Sequence, residues 1–211
     1  MIIYLVRHGE TAYNRDGLGL GRADVPLTEL GQRQALAVAA RLAEVPLDRV
    51  FSSPLERALS VARAIAGERG VPLDVRAELT EMDVGETEGL TFPEMRERHA
   101  PFLAEWRGPG GAAAVMPGGE SLSAVDVRLQ PFYSALRGTA ADAVAVVSHN
   151  FVLRLLLCHL LGLELGAFRS FLLGLASVSM LSLERGEATL RLLNDSCHLD
   201  GLNLPPAARS L

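Results

Sequence analysis

Three short stretches of the chain hold side chains suited to anion chemistry. "LVRHGET" places Arg7, His8, Gly9 and Glu10 directly after an apolar run at residues 2–6. "SSPLERA" puts Arg57 four residues after Ser53, and "VVSHN" puts His149 and Asn150 after a second apolar run. Arg7 and Arg57 each offer forked N–H pairs that match phosphate oxygens. Gly9 lets backbone pass close to a ligand. The imidazoles add a possible nucleophile and a further donor. All twenty basic residues are Arg, a bias of composition, so an anion site here must be built from guanidinium, imidazole and backbone N–H.

A carboxyl group is needed to go beyond binding. "ELTEMDVGETEG" (78–89) supplies five acids, and an acid held near a bound dianion has its pKa raised. Such an acid, protonated near neutrality, can donate to a leaving alkoxide. This argument leaves Glu78, Glu81, Asp83, Glu86 and Glu88 open.

The elements carrying these residues follow from pattern. Residues 2–7, 48–53 and 142–150 read as strands, the first and last apolar throughout, as when both sheet faces are covered. Residues 26–45 read as a helix capped by Thr28. A second is expected to start at Ser53, with Pro54 at its first position, and to run to Gly70. Residues 91–106 read as irregular helix and 121–137 as helix. A further helix should run from Phe151. Residues 107–121, rich in Gly, Pro and Ala, read as a mobile flap. Residues 177–194 read as a hairpin or edge strands around Arg185-Gly186, and the tail "LPPAARSL" as loose.

Strands alternating with helices predict an α/β fold: a three-layer sandwich whose mostly parallel central sheet is flanked by helices. One domain over 1–211 is expected, with a helical and loop cap insertion around 85–120. In such sheets ligands bind beyond the carboxyl ends of strands. Three predicted strands end there in Arg7-His8-Gly9, in Ser52-Ser53 leading to Arg57, and in Ser148-His149-Asn150. Convergence of the three ends on one crevice is the central expectation.

Bulk properties exclude other classes. A net charge of −5 argues against a nucleic-acid surface. "FVLRLLLCHLLGL" (151–163) is too short for a membrane span and carries Arg154 and His159. The opening apolar run is too short for a targeting segment. Cys158 and Cys197 match no metal spacing, so a reduced, cytoplasmic protein without metal or other cofactor is expected. Exposed edge strands near the carboxyl end make a homodimer plausible.

"LVRHGET" with Asn14, "PLTELGQRQA", "SSPLERA", "EMDVGETEG" and "VVSHN", in this order, resemble the histidine phosphatase superfamily, the phosphoglycerate-mutase-like family. The likeness spans residues 2 to about 160, and it implies the phosphoglycerate-mutase-like fold. It also implies that His8 is the nucleophile, attacking phosphorus as a neutral imidazole to give a phosphohistidine that water hydrolyses. Cations around it, Arg7, Arg57 and a charged His149, would oppose its protonation. Its other ring nitrogen needs an acceptor, and a backbone carbonyl is expected. Arg7, Arg57 and His149 match the family's phosphate-binding residues, and Glu81 falls at its proton donor. Asn14, Gly21, Arg22 and Asn150 are expected at the substrate rim, with Arg15 near by chain order. Asn150 stands where the family commonly has Gly, and either adds a polar contact or caps the next helix. Leu20 and Tyr13 also depart from common residues.

The reading favoured is a metal-independent phosphomonoesterase acting on a small phosphorylated metabolite. A cofactor-dependent phosphoglycerate mutase is the alternative, disfavoured because the region after Glu81 is acidic and Lys is absent. A non-catalytic phospho-ligand binder is the third reading, set against the presence of all five core residues. His159, His99 and His198 are expected to be packed or surface residues.

Overall fold

The computed structural model describes residues 1–67 and 69–202; the tail "LPPAARSL" lies outside them. Six strands form one sheet: β1 (Ile2–Arg7), β2 (Arg49–Ser52), β3 (Leu73–Val75), β4 (Ala143–Ser148), β5 (Val178–Glu184) and β6 (Glu187–Asp195). Their order is β3-β2-β4-β1-β5-β6, with the first four parallel and β5 and β6 antiparallel.

Among the described residues, seven α-helices accompany it: α1 (Ala12–Arg15), α2 (Glu29–Arg41), α3 (Glu56–Ala66), α4 (Phe92–Arg98), α5 (Ala100–Arg107), α6 (Leu122–Gly138) and α7 (Asn150–Leu160). Period-two alternation splits the strands' apolar side chains between two cores. Ile3, Leu5, Val144 and Val146 face one core, shared with Val125, Leu129 and Phe132 of α6 and Val152 and Leu156 of α7. Val6, Ala145 and Val147 face the other, shared with Val38 of α2 and Val61 and Ile65 of α3. The result is three layers. The mixed α/β architecture with a six-stranded central sheet is that expected, and its phosphoglycerate-mutase-like character is borne out by the structural neighbours described below.

Several local readings differ. The second helix begins at Glu56 behind Leu55, without a side-chain cap; Ser53 is drawn instead toward His149. It ends at Ala66 because Gly67 turns to a positive φ of 43°. The three-residue β3 was not anticipated: it is too short to show a period, and it pairs with β2 at the sheet's edge. The irregular helix at 91–106 resolves into α4 and α5, with a Thr91–Glu94 capping box starting the first and His99 dividing them.

The segment expected to be a mobile flap is tied to the body. Glu86 N donates to Pro117 O at 2.7 Å, Glu120 N to Asp83 O at 2.9 Å, and Ala114 and Met116 are buried. Gly85 permits this approach: a Cβ there would lie 2.1 Å from Pro117 O.

The sheet order positions the site. β1 and β4 are neighbours with Arg7 opposite Ser148, and Ser52 of β2 lies opposite Val147. The three carboxyl ends are therefore level. From β1 the chain departs to α2 on one face, while β4 leads to α7 on the other. That divergence opens a crevice where helix N-termini also converge.

Candidate active site

His8 sits just past the end of β1. Its N–H donates to Ser148 O at 3.1 Å, and its own carbonyl accepts from Ala176 N at 2.9 Å, so the sheet ladder holds its backbone on both sides. The imidazole Nδ1 lies 2.7 Å from Gly9 O. A carbonyl only accepts, so Nδ1 carries the proton, and in the neutral ring Nε2 presents a bare lone pair. Burial, Arg57 and Arg7 together hold the His8 pKa well below the usual imidazole value, keeping the ring neutral.

Packing also requires Gly9 to be small. A Cβ there would meet Gly31 O at 2.7 Å, and a Cβ on Gly31 would meet Glu10 O at 2.1 Å. The two glycines allow the first turn of α2 to press on the loop after β1. Thr28 N and Oγ add bonds to Glu10 O and Oε1.

Arg57, in the first turn of α3, is completely buried. It donates to Ala23 O (2.7 Å), to Gly21 O (2.6 Å) and, through Nε, to His149 Nδ1 (3.2 Å). Arg7 donates to Leu173 O at 2.6 Å, and burial draws its pKa down to about 10, still protonated at neutral pH. His149, the N-cap residue of α7, packs its ring 5.1 Å from that of His8. Because Nδ1 accepts from Arg57, Nε2 carries the proton and donates to Ser53 Oγ at 2.7 Å. The charged His149 expected from the sequence is thus replaced by a neutral one, its pKa pushed far down by burial and the Arg57 charge.

Glu81 is the acid that the fold selects. Only 3% exposed, it accepts from Met82 N (2.8 Å) and from Phe151 N at the start of α7 (3.2 Å). Desolvation outweighs these bonds and the nearby guanidiniums and raises its pKa. The other four acids are engaged elsewhere. Glu78 pairs with Arg76, Asp83 caps Gly85, Glu86 lies against Gly118, and Glu88 accepts from Gly21 N and Ala23 N.

Arg7, His8, Glu81, Asn14 and Asn150 line one cavity of about 410 Å³, with Glu10, Arg15 and Leu20 in its walls. Arg57 and His149 are fully buried and do not line it. Gly21 and Arg22, expected at the rim, do not line the cavity. Gly21 serves through its carbonyl to Arg57, and Arg22 pairs with Glu120 at 2.9 Å and Asp83 at 3.6 Å. Asn14 is held by Thr11, whose N–H and hydroxyl both donate to Asn14 Oδ1. Asn150 is the first residue of α7 and does not cap it; its Oδ1 is buried without a hydrogen-bond partner.

Sequence reasoning missed Ser53 as the partner of His149, and missed Leu173, Gly21 and Ala23 as carbonyl holders of the arginines. A carbonyl is common to every residue, so no residue type signals the latter. His159 stacks on Tyr133 at 3.5 Å, and His198 bonds Ala176 O, both structural as expected. Among the described residues, no three or more His, Cys, Asp or Glu side chains are grouped to hold a metal ion, and no helix is long and apolar enough to cross a membrane.

Comparison with known proteins adds to this geometry. The sequence model of the histidine phosphatase superfamily (branch 1) matches residues 3–196. The adenosylcobalamin/alpha-ribazole phosphatase of Salmonella typhimurium is 36% identical over 200 residues, covering 92% of this chain and 96% of that one. Phosphoserine phosphatase 1 of Hydrogenobacter thermophilus is 33% identical over 198 residues, covering 93% of each. Among solved structures, the alpha-ribazole phosphatase of Shigella flexneri superposes with a TM-score of 0.83 at 32% identity, covering 92% of this chain and 96% of that one.

Proposed function

The chain belongs to the histidine phosphatase superfamily, branch 1, and from that premise we propose that it is a metal-independent phosphomonoesterase of the cytoplasm. It hydrolyses a small phosphorylated metabolite through a phosphohistidine on His8. The observation that carries this reading is the 2.7 Å contact from His8 Nδ1 to Gly9 O, which leaves Nε2 bare in the same cavity as the buried Glu81, whose pKa burial raises.

The phosphoryl group sits over His8, with Arg7 and Arg57 neutralising its oxygens as charge shifts during in-line transfer. Three of the five N–H groups of Arg57 are committed to protein acceptors; the guanidinium, buried outside the cavity lining, acts on the anion through its charge. On anion binding the buried Ser53–His149 contact opens, and a phosphate oxygen replaces Ser53 Oγ as the partner of His149 Nε2–H. His8 Nε2 forms the N–P bond as the ester P–O bond breaks, and Glu81 protonates the departing alkoxide. In the second half, Glu81 takes a proton from water, water attacks phosphorus, and the P–N bond breaks to release inorganic phosphate. Asn14 and Asn150 orient the alcohol from the cavity wall, and the segment 85–120 caps the site.

The test is hydrolysis of p-nitrophenyl phosphate in the presence of a chelator, with trapping of acid-labile phosphate on the protein. His8→Ala should abolish both signals; substantial turnover in that variant would refute the assignment of the nucleophile. Supplying 3-phosphoglycerate with catalytic 2,3-bisphosphoglycerate should yield phosphate rather than the 2-isomer.

A further inference from the structure

Beside the cavity at His8 lies a second chamber of about 380 Å³. Gly19, Leu20, Phe92, Met95 and Phe151 line both, so the two spaces adjoin. The walls of the second chamber alone include Phe102, Leu103, Trp106 and Met116, with Arg107 and Arg169 at the outer edge. Its aromatic groups already pack on one another: Trp106 stands edge to face at 87° to Phe151 with ring centroids 5.9 Å apart, and Phe102 lies tilted at 42° to Trp106, 5.6 Å away. The Arg169 guanidinium sits 5.7 Å from the Trp106 ring, and that of Arg107 sits 5.9 Å from Phe92.

We propose that this chamber receives an aromatic group, uncharged or anionic, carried by the alcohol part of the substrate. The proposal rests on the phosphatase reading of the His8 cavity and adds to it the class of alcohol. A short polar alcohol would leave the chamber unfilled, and its hydroxyl or amine groups would find mostly apolar wall there. A flat ring meets aromatic edges and faces on several sides, the arrangement that aromatic pairs favour. The two guanidiniums at the outer edge exclude a cationic tail and tolerate an acidic one. The occupant is defined by adjacency to the His8 cavity on one side and by the sign of charge on the other.

Trp106 is the only tryptophan of the chain, so its fluorescence reports on this chamber alone. The experiment compares ethyl phosphate, 2-(4-nitrophenyl)ethyl phosphate and 2-cyclohexylethyl phosphate, whose leaving alcohols differ little in basicity. The nitrophenyl ester should have a kcat/KM about 30-fold above ethyl phosphate, from apolar area removed from water. It should also exceed the cyclohexyl ester. Trp106→Ala should reduce the nitrophenyl-to-ethyl ratio about tenfold. Independently of turnover and of that variant's folding, 2-(4-nitrophenyl)ethylphosphonate should quench Trp106 saturably, and inorganic phosphate should reverse the quenching. Equal kcat/KM for the nitrophenyl and ethyl esters, or no saturable quenching, overturns the chamber assignment and leaves the phosphatase standing. Equal values for the nitrophenyl and cyclohexyl esters overturn its aromatic preference. Hydrolysis of none of the three overturns the phosphatase reading, and the substrate assignment with it.

Discussion

Arg57 Nε donates to His149 Nδ1 across 3.2 Å, and this one bond decides where the His149 proton resides. The opposite nitrogen must then donate, and it does so to Ser53 Oγ. A guanidinium, an imidazole and a hydroxyl from three separate parts of the chain are thereby fixed in one chain of hydrogen bonds, all fully buried.

Ser53→Ala breaks the last link. It leaves the His149 Nε2–H without a partner in the interior, at a cost of about 1–3 kcal/mol. Because phosphate supplies a replacement acceptor, inorganic phosphate should raise the Tm of the variant by more than that of the parent protein. Thermal scans with and without phosphate check this; equal shifts would mean that His149 keeps its partner when the anion binds.

Glu81→Gln preserves shape and removes the proton. Hydrolysis of alkyl phosphates should fall by roughly 10²–10⁴, the usual contribution of a general acid. The loss should be much smaller for p-nitrophenyl phosphate, whose leaving group needs little protonation. In the parent enzyme kcat/KM should decline toward alkaline pH as Glu81 loses its proton, at a pH above the ordinary 4.5 because burial raises that pKa. The Gln variant should lack this limb in a pH profile taken with the same ester.

His8 and His149 govern acid stability. Both are held neutral in the folded protein, their pKa values well below 6.5, while in the unfolded chain they titrate near 6.5. The unfolded state therefore binds more protons as pH falls through 6.5, and stability is lost on the acid side of that value. Tm measured from pH 8 to pH 5 should drop below about 6.5, and His149→Gln should flatten part of the drop. An unchanged slope in that variant would mean the histidine is charged in the fold.

Gly31→Ala tests the contact between α2 and the loop after β1. The added Cβ would lie 2.1 Å from Glu10 O, so overpacking should cost about 1–3 kcal/mol and lower kcat by shifting His8. Gly138→Ala, at the end of α6 with nothing within 4 Å, is the control, and should be neutral or stabilising by about 0.5–1 kcal/mol. Urea unfolding of both variants makes the comparison.

Where hydrophobic period and chemistry coincided, the sequence was readable. β1 and β4 are apolar runs that stop at Arg7-His8 and Ser148-His149, residues a buried strand has no packing reason to end on. Glu81 could not be singled out by physical argument among five acids, because its distinction is burial against Phe151 N, a contact across seventy positions. Ser53 passed for a helix cap because Ser-Pro is a common helix entry, and tertiary demand from His149 overrode it. The second chamber draws on residues near 19, 84, 92–107, 116, 151 and 169, and no single window shows such a surface.

The sheet order has a bearing on how the protein comes into being. β4 slots between β1 and β2, although nearly a hundred residues separate it from β2 in the chain. A nascent polypeptide that has emerged only through α6 has His8 and Arg57 but neither His149 nor the strand that seats His8 from one side. The proposed site is therefore completed by one late, long-range insertion, a slow kind of step for a folding chain. Until then the ribosome-bound chain carries only part of that pocket.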